Sequence, residues 1–292
     1  NIYYDVCQIH FLNPIYAKIA DRLKKISRKV VITPWGSDVL RAKKYQLRGL
    51  RKLVQKSNWV TCTQGSRFEK DIVTLLDIPK EKLYNLPIGI ASIDEILSRP
   101  FITDEQAKRV WGFEGKYVIV IGYNGSPAHN HIKVIKSLVF MKKQLPTNTI
   151  LVCPMTYGGN PVYRKKIKRL LWNSQFENQI LENYLTAEEL VCLRKATDLF
   201  IHAQNTDANS GTIAEYLLCR KKIVNPTWIT YPHYETYGSP FYSFSNFEEL
   251  PQAIMKAIND TSNKVSPLLT GNISESGWSK LACKWVELYK KY

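Results

Sequence analysis

Short apolar runs alternate with helix-period segments along almost the whole chain, and this alternation constrains the fold more than any other feature of the sequence. Alternating strands and helices build parallel sheets that carry helices on both faces. We therefore predict an α/β chain. The predicted strands are 6–11, 29–36, 59–64, 83–90, 116–124, 149–155, a short run near 179, 198–203, 221–226 and 241–244. The predicted helices are 14–27, 47–57, 66–76, 129–143, 161–173, 186–196, 211–220, 231–237, 246–259 and 275–291.

The alternation is interrupted at residues 91–115, which are polar, contain Pro100 and hold no predicted strand. We interpret this stretch as a linker between two domains, a number that also suits 292 residues. The expected division is an N-terminal domain at 1–98, a C-terminal domain at 99–272, and a helix at 273–292 that packs back toward the first domain. Both domains are expected to be Rossmann-like and doubly wound, and to face each other across a cleft. Because the chain enters a strand-like run at once and has no initial methionine, we expect the N-terminal domain to be truncated.

The composition favours a cytoplasmic globular protein. Hydrophobic residues make up 45% of the chain and charged residues 23%, and no apolar run approaches the roughly 20 residues needed to span a bilayer. The chain begins without the basic region and apolar core of a signal peptide. Its six cysteines are scattered, without a C-x-x-C pair or a neighbouring histidine cluster. They are expected to be buried thiols, and no metal site is predicted.

A net charge of +16 points to an anionic partner. No acidic residue occurs between Val39 and Phe68, and the helix predicted there is strongly basic. Three interpretations remain open: a solvated helix face, contact with the anionic inner leaflet of the membrane, or contact with nucleic acid. We expect the membrane contact, because few aromatic residues interrupt the basic stretch and no nucleic-acid motif accompanies it. The residues expected to face the membrane are Arg41, Lys43, Lys44, Arg48, Arg51 and Lys52.

Ligands of parallel sheets bind where loops follow the carboxyl ends of strands. One such loop, YNGSPAHNHI, contains Asn124 and two glycines, Gly122 and Gly125, that permit a tight turn. It lacks the third glycine of the dinucleotide fingerprint, so that motif is excluded. The helix that follows still offers free N–H groups to a phosphate, and His129 and Asn130 are candidate donors or ordinary surface residues.

Two further post-strand loops are candidates for contact with a nucleotide or sugar. In TYGGNPVY, Tyr157 offers a flat ring and Asn160 begins a helix. In TWITYPHYETYG, Trp228 and Tyr231 either pack on a base or sugar or close the domain edge.

The loop QNTDANSGTIAEYL carries the strongest signal. Its Ser210, Gly211 and Thr212 stand at a predicted helix start, where unsatisfied N–H groups suit a diphosphate. Asp207 and Glu215 flank that helix start, eight residues apart, and carboxylates there can accept hydrogen bonds from sugar hydroxyls. We therefore predict a site that binds a diphosphate and a sugar together.

The order of these motifs resembles a known family. The segment DLFIHAQNTDANSGTIAEYLLCRKKIV is similar to the signature of GT-B glycosyltransferases of the family 4 type, in which two Glu residues are separated by seven others. Asp207 takes the place of the first Glu and Glu215 that of the second. VVITPWGSDVL resembles the N-domain loop T-x-H-G-x-D, and the C-terminal half is also similar to the acetamido-fucosyl transferases of enterobacterial common antigen synthesis.

The resemblance implies a GT-B enzyme without cofactor or essential metal, which retains anomeric configuration. A nucleotide-sugar donor would bind mainly to the C-terminal domain, with Asp207 at the sugar ring and Glu215 at the ribose. Gly36, Ser37 and Asp38 would lie on the acceptor side, and His10 is a weaker catalytic candidate. The family's histidine in T-x-H-G-x-D is Trp35 here, and Tyr123 with His129 or Asn130 replace the arginine and lysine that neutralise the leaving diphosphate.

We thus predict transfer of a hexose or acetamidohexose from a nucleoside-diphosphate sugar to a lipid-linked or growing bacterial surface saccharide. The acceptor would be a saccharide or a polyprenyl-phosphate-linked sugar at the inner face of the plasma membrane. Two alternatives remain: a sugar-nucleotide epimerase on the same fold, and a non-catalytic nucleic-acid-binding protein that uses the basic face.

Overall fold

The computed structural model describes residues 2–291, which form two parallel β-sheets with interleaved helices. The first sheet has the order β1-β2-β3-β4. Its strands are β1 (Tyr4–His10), β2 (Ser27–Thr33), β3 (Trp59–Cys62) and β4 (Leu83–Asn85). The helices among them are α1 (Ile15–Ile26), α2 (Ser37–Leu40), α3 (Lys44–Lys56) and α4 (Arg67–Leu76).

The second sheet has six parallel strands in the order β10-β9-β8-β5-β6-β7. They are β5 (Tyr117–Ile121), β6 (Thr149–Pro154), β7 (Glu177–Leu181), β8 (Leu199–Ile201), β9 (Lys222–Pro226) and β10 (Phe241–Phe244). The helices are α5 (Ala91–Ser98), α6 (Asp104–Trp111), α7 (His131–Phe140), α8 (Pro161–Ser174), α9 (Ala187–Ala196), α10 (Gly211–Leu218), α11 (Pro232–Glu235), α12 (Leu250–Asn259) and α13 (Pro267–Ser274). Single 3₁₀ turns occur at Lys80–Lys82, Pro127–His129 and Lys142–Gln144.

The order of the second sheet creates a crevice between β5 and β8. The chain builds outward from β5 through β6 and β7, then returns to β8 on the other side of β5. The loops that follow β5 and β8 therefore diverge, which opens the space where doubly wound sheets bind ligands. The predicted diphosphate loop lies directly after β8.

The predicted linker at 91–115 is helical. It holds α5 and α6, and Ile93 and Ala107 are fully buried in the core of the second sheet. These helices are short, and each buries only one or two residues, so their apolar periodicity is weak. The second globular unit thus begins near residue 91, and the segment that joins the two sheets is limited to the loop after β4. The helix α13 lies in another stretch for which no helix was predicted.

The helix α14 (Trp278–Lys290) leaves the second sheet and packs on the first. Leu281, Trp285 and Leu288 contact Val31 and Leu86. The indole of Trp285 donates a hydrogen bond to the carbonyl oxygen of Pro87 at 3.1 Å. The opposite face of the first sheet is covered by α1, α3 and α4, so this sheet too has helices on both faces.

Within residues 2–291, no helix is long and apolar enough to cross a lipid bilayer.

Candidate functional site

The carboxyl ends of the two sheets face each other across a cleft that contains two joined cavities. The first cavity has a volume of about 400 Å³, and residues from both sheets line it. The second, of about 500 Å³, opens toward the loops after β1 and β2. Both cavities share five lining residues: Trp35, Tyr123, Tyr157, Asp207 and Ala208. Together they form one cleft whose floor is the predicted diphosphate loop.

The two sheets touch directly at this loop. Gly36 adopts φ +116°, and a Cβ atom there would lie 2.5 Å from the Cβ atom of Ala208. Only glycine tolerates both this backbone conformation and this approach. Asn209 Nδ2 donates to Thr63 Oγ1 at 2.9 Å, which adds a polar contact between the two halves. The loop after β8 is therefore held from both sides.

The amino end of α10 opens into the first cavity. Ser210 is the N-cap residue, but its side chain accepts no capping hydrogen bond. The backbone N–H groups of Gly211 and Thr212 have no acceptor within residues 2–291. These free donors, together with the positive end of the helix dipole, suit an anionic group in the cavity. Ser210, Gly211 and Thr212 lie together as the sequence predicts.

Asp207 lines both cavities and is held in place by three donors. Its Oδ1 atom accepts from the Ala208 backbone at 2.8 Å, and its Oδ2 atom accepts from the Tyr231 hydroxyl at 2.7 Å. His202 Nε2 lies 3.3 Å from the same Oδ2 atom. Burial acts to raise the pKa of Asp207, but His202, Tyr231 and the Ala208 amide more than offset it, so the net pKa is lowered. Asp207 is thus a fixed, ionised carboxylate.

His202 is fully buried behind that carboxylate, and both of its ring nitrogens face oxygen atoms. Its Nδ1 atom lies 2.8 Å from Asn225 Oδ1, and its Nε2 atom lies 3.3 Å from Gln204 Oε1 as well as from Asp207. The amide of Asn225 cannot turn around, because its nitrogen donates to the carbonyls of Pro226 and Ile229. Burial lowers the pKa of His202, but these acceptors raise it above its ordinary value overall. The geometry therefore describes a buried imidazolium paired with Asp207.

Glu215 also lines the first cavity, and its side chain is 8% exposed. Its Oε2 atom accepts from Arg194 Nε at 2.7 Å, and its Oε1 atom accepts from the Ser92 hydroxyl. Arg194 is itself buried and stacks on the ring of Tyr216. Each carboxylate oxygen keeps a second lone pair. Glu215 can therefore accept from a ligand hydroxyl while it joins α9, α5 and α10.

The loop after β5 contributes Tyr123 and Asn124 to the cleft. The Tyr123 hydroxyl donates to Gln204 Oε1 at 2.8 Å, which ties this loop to the loop after β8. Gly122 adopts φ +63° and contacts the ring of His131 with no space for a Cβ atom. Tyr123 was noted in the sequence only as a departure from the family motif, but its position in both cavities makes it a central residue of the site.

Six residues predicted to contact the donor line neither cavity: Gly122, Gly125, His129, Asn130, Asn160 and Trp228. His129 is fully buried, and burial lowers its pKa well below the ordinary value, so it is a neutral core residue. Asn130 donates to Ala203 O and Asn205 Oδ1 and fastens two loops together. Asn160 caps α8 by accepting from the Tyr163 backbone. Sequence spacing predicted loop positions correctly here, but not the direction of these side chains.

The glycines after β5 and β6 serve a contact between loops. Gly125 N donates to Tyr157 O at 2.7 Å, and a Cβ atom on Gly159 would collide with the Gly125 backbone. Tyr157 is thereby placed at the mouth of the cleft, where it is 47% exposed and stacks nearly parallel on Tyr184 with ring centroids 6.2 Å apart. Tyr184, which the sequence gave no reason to single out, lines the second cavity.

Trp228 does not line either cavity. Its indole donates to Gln204 O at 2.9 Å and packs against Phe244 and Phe247. It borders a third cavity of about 380 Å³, which shares Leu40, Thr206 and Asp207 with the second. Of the two aromatic candidates in the loop after β9, Tyr231 is the one that touches the site, through Asp207.

The predicted acceptor-side residues form a tight turn after β2. The Asp38 carboxylate accepts from the backbone amides of Leu12, Trp35 and Gly36, so it shapes the turn and has little left for a ligand. Ser37 lines the second cavity. His10 lies beside this turn, accepts from Trp35 Nε1 at 3.3 Å, and has its pKa lowered by burial. His10 does not line either cavity.

The basic stretch divides into two groups. Arg41 lines the second cavity and donates to Thr206, and it is also exposed to solvent. Arg51 is half-buried and pairs with Asp77. The remaining four predicted residues are exposed on or beside α3, without an ion pair within residues 2–291: Lys43, Lys44, Arg48 and Lys52.

Among residues 2–291, no three His, Cys, Asp or Glu side chains converge in a way that could hold a metal ion.

No protein-family model matches the chain, and no curated protein matches it. Solved structures do resemble it. Sucrose-phosphate synthase from Thermosynechococcus elongatus is 14% identical with a TM-score of 0.72, over 98% of this chain and 73% of that one. HepE from Anabaena, in complex with UDP and glucose, is 15% identical with a TM-score of 0.72, over 96% and 77%. A UDP-forming trehalose-phosphate synthase from Burkholderia xenovorans is 11% identical with a TM-score of 0.72, over 98% and 74%.

These neighbours are GT-B glycosyltransferases, and at such low identity the likeness establishes the fold. The predicted class is confirmed: the chain is an α/β protein with the two-domain GT-B architecture.

Proposed function

We propose that this protein is a glycosyltransferase that moves a sugar from a nucleoside diphosphate to a saccharide acceptor. One observation carries the proposal: the free N–H groups of Gly211 and Thr212 open into the same cavity as Asp207 and Glu215. Helix amides suit a diphosphate, and fixed carboxylates suit sugar hydroxyls. One similar protein is UDP-forming and another is in complex with UDP and glucose, which supports the same assignment.

In this proposal the donor lies along α10. The diphosphate is bound by the amides at the amino end, Glu215 accepts from the ribose, and Asp207 accepts from the transferred sugar. Because Asp207 is held by three protein donors, it keeps its position as charge develops during transfer. Fixed dipoles directed at a leaving group supply a large part of catalysis in enclosed sites. No metal or other cofactor is required in this scheme, and we propose retention of the anomeric configuration.

We further propose that the acceptor is lipid-linked or part of a bacterial surface saccharide, and that the enzyme associates with the inner face of the plasma membrane. The supporting feature is the α1–α3 surface, which combines exposed apolar and basic side chains. It comprises Ile15, Lys18, Ile19, Arg22, Lys43, Lys44, Tyr45, Arg48 and Lys52. Each basic residue near an anionic leaflet contributes about 1 kcal/mol of attraction.

The donor proposal is tested by thermal unfolding with a panel of nucleoside diphosphates and nucleotide sugars. One of them should raise the unfolding temperature, and Glu215→Gln should reduce that rise, measured for each protein against its own ligand-free unfolding temperature. If no nucleotide shifts the wild type, the proposed function is wrong. A labelled donor incubated without acceptor distinguishes an epimerase, which would convert the sugar, from a transferase, which would not.

The membrane proposal is tested by flotation with vesicles that contain anionic lipid. Charge reversal of Lys43, Lys44 and Lys52 to Glu should release the protein from the vesicles. The matched control reverses three exposed basic residues on α8, at 165, 166 and 169, which changes the net charge equally on another face. Equal release by both triple variants would contradict a specific membrane-binding surface.

A further inference from the structure

Among residues 2–291, Arg41 is the only lysine, arginine or histidine that lines the two joined cavities of the cleft. The two acidic residues there, Asp207 and Glu215, already have buried cationic partners in His202 and Arg194. The charge of Arg41 is thus left for whatever occupies the cleft. No carboxylate within residues 2–291 forms an ion pair with it.

The side chain of Arg41 crosses from the first sheet to the loop after β8. Its Nε atom donates to Thr206 Oγ1 at 2.9 Å, and its Nη2 atom donates to Thr206 O at 3.2 Å. Thr206 directly precedes Asp207, so the guanidinium is fixed beside the predicted donor loop. Nη1 has no protein acceptor within residues 2–291 and keeps both of its N–H groups for a ligand.

The part of the cleft around Arg41 matches the requirements of a phosphate group. Tyr123 and Asn124 line the second cavity from the side of the second sheet. Asp207 lines both cavities, and the free amides of α10 open into the first. A guanidinium presents two parallel N–H groups to a phosphate, and such charge-assisted bonds are about twice as strong as neutral ones. A diphosphate between α10 and Arg41 would thus be bound from both halves of the molecule.

We propose that Arg41 binds the donor diphosphate and stabilises it as it leaves, an inference that rests on the proposed function. In the transfer step, the bond between the anomeric carbon and the diphosphate oxygen breaks, and its electron pair stays on that oxygen. The acceptor hydroxyl oxygen bonds to the anomeric carbon, and its proton passes to the departing diphosphate. Arg41 acts on the charge that this step adds to the leaving group.

The two proposed phosphate-binding elements come from different halves of the molecule. Arg41 belongs to the first sheet, while the amides of Gly211 and Thr212 belong to the second. The diphosphate can contact both only when the two halves are closed around it. Donor binding and closure of the cleft are thereby coupled through one side chain.

The binding test compares five common nucleosides with their diphosphates, by calorimetry on wild type, Arg41→Gln, Arg41→Lys and Arg169→Gln. Arg169 is an exposed arginine on α8 and serves as the matched control. Arg41→Gln should weaken diphosphate binding by about tenfold to a hundredfold, the weight of a charge-assisted hydrogen bond, and leave nucleoside binding unchanged. Arg41→Lys should recover part of the loss, and Arg169→Gln should behave as wild type.

Three different results would overturn the inference in distinguishable ways. If wild type binds no nucleoside diphosphate, the proposed function fails and the inference falls with it. If wild type binds one and Arg41→Gln binds it equally well, only the role of Arg41 is wrong. A loss that is the same for nucleoside and diphosphate would also reject the role, since it would indicate a disturbed loop.

Steady-state transfer assays then distinguish an effect of Arg41 on the leaving group from an effect on acceptor binding. Arg41→Gln should lower kcat by about a hundredfold, the order found when one transition-state donor is removed, with little change in KM for the acceptor. Added guanidinium should restore part of the rate in Arg41→Ala. A raised acceptor KM with unchanged kcat would instead place an acceptor phosphate at Arg41 and contradict the proposal.

Discussion

Breaking the buried ion pair between Arg194 and Glu215 should destabilise the protein far more than removing both charges together. The two side chains are 7% and 8% exposed, and their charged atoms lie 2.7 Å apart. Arg194→Met keeps an aliphatic stem over the ring of Tyr216 but leaves Glu215 without its cation. Glu215→Gln keeps an acceptor for Ser92 but removes the negative charge.

The expected loss of unfolding free energy follows from two opposing contributions, the attraction between the two charges and the cost of removing them from water. At 2.7 Å and an effective dielectric constant of about 20, the attraction is about 6 kcal/mol. Desolvation of two ions costs several kcal/mol each, so the intact pair contributes little net stability. Loss of one partner leaves the desolvation cost of the other uncompensated, and each single variant should lose about 3–5 kcal/mol of unfolding free energy. The double variant should lose less than the sum of the two.

Urea unfolding of wild type, the two single variants and the double variant measures this cycle. The comparison is valid when the variants differ in the midpoint urea concentration and not in the slope of free energy against urea. Lys168→Met is the control, because it breaks an exposed pair with Glu182 and should cost less than about 1 kcal/mol. Strictly additive losses in the double variant, or single losses below about 1 kcal/mol, would refute the reasoning. Because Glu215→Gln itself lowers stability, ligand tests on this variant compare the unfolding temperature with and without ligand for the same protein.

Three further predictions concern other parts of the molecule. The unfolding free energy lost in His202→Asn should be largest below pH 6.5 and should shrink as the pH rises. The pKa of His202 is higher in the folded state than in the unfolded state, so protonation of His202 stabilises the fold, and this contribution disappears as the pH rises through the folded-state pKa. A loss that grows with pH would contradict the buried imidazolium. Gly36→Ala should lower donor affinity and stability, since its Cβ would meet Ala208 at a backbone φ of +116°, and an unchanged variant in calorimetry would show that the halves do not need this contact. Cys283 is exposed and should react first with a thiol reagent at pH 8, whereas burial raises the pKa of Cys153 to about 12; equal labelling rates by mass spectrometry would disprove this order.

The fold was accessible from the sequence because the alternation of strands and helices is a local pattern. The central strands β5, β6 and β8 are short buried runs of mainly apolar residues, and α7 and α12 bury residues at helical spacing. The position of the loop after β8 follows from the same pattern. The helices α5 and α6 could not be predicted from this pattern, because each buries too few residues to show a helical period. The apolar residues that pack against them come from distant segments of the chain.

The site was accessible only in part, because side-chain direction and partners depend on which strands become neighbours. His202 is the clearest example: a histidine inside the apolar run LFIHA was a signal, but one acceptor, Asn225, lies on the neighbouring strand, and the other two reach the ring only through the path of the loop after β8. Arg194 lies 21 residues from Glu215 and meets it only because α9 and α10 pack together. Arg41 was assigned to the outer surface because it begins a basic run, whereas its side chain turns into the cleft.

The return of α14 to the first sheet has a mechanical consequence. The polypeptide passes between the two halves at the loop after β4 and again between α13 and α14. These two crossings are adjacent, because Ile90 N donates to Ser276 O at 2.9 Å and Ser279 Oγ donates to Asp94 Oδ1 at 2.5 Å. Two domains joined by one chain segment can rotate in any direction. Two domains joined by two hydrogen-bonded segments rotate mainly about the line that runs through both segments. We therefore expect any opening of the cleft to be a rotation about the line that joins these two crossings.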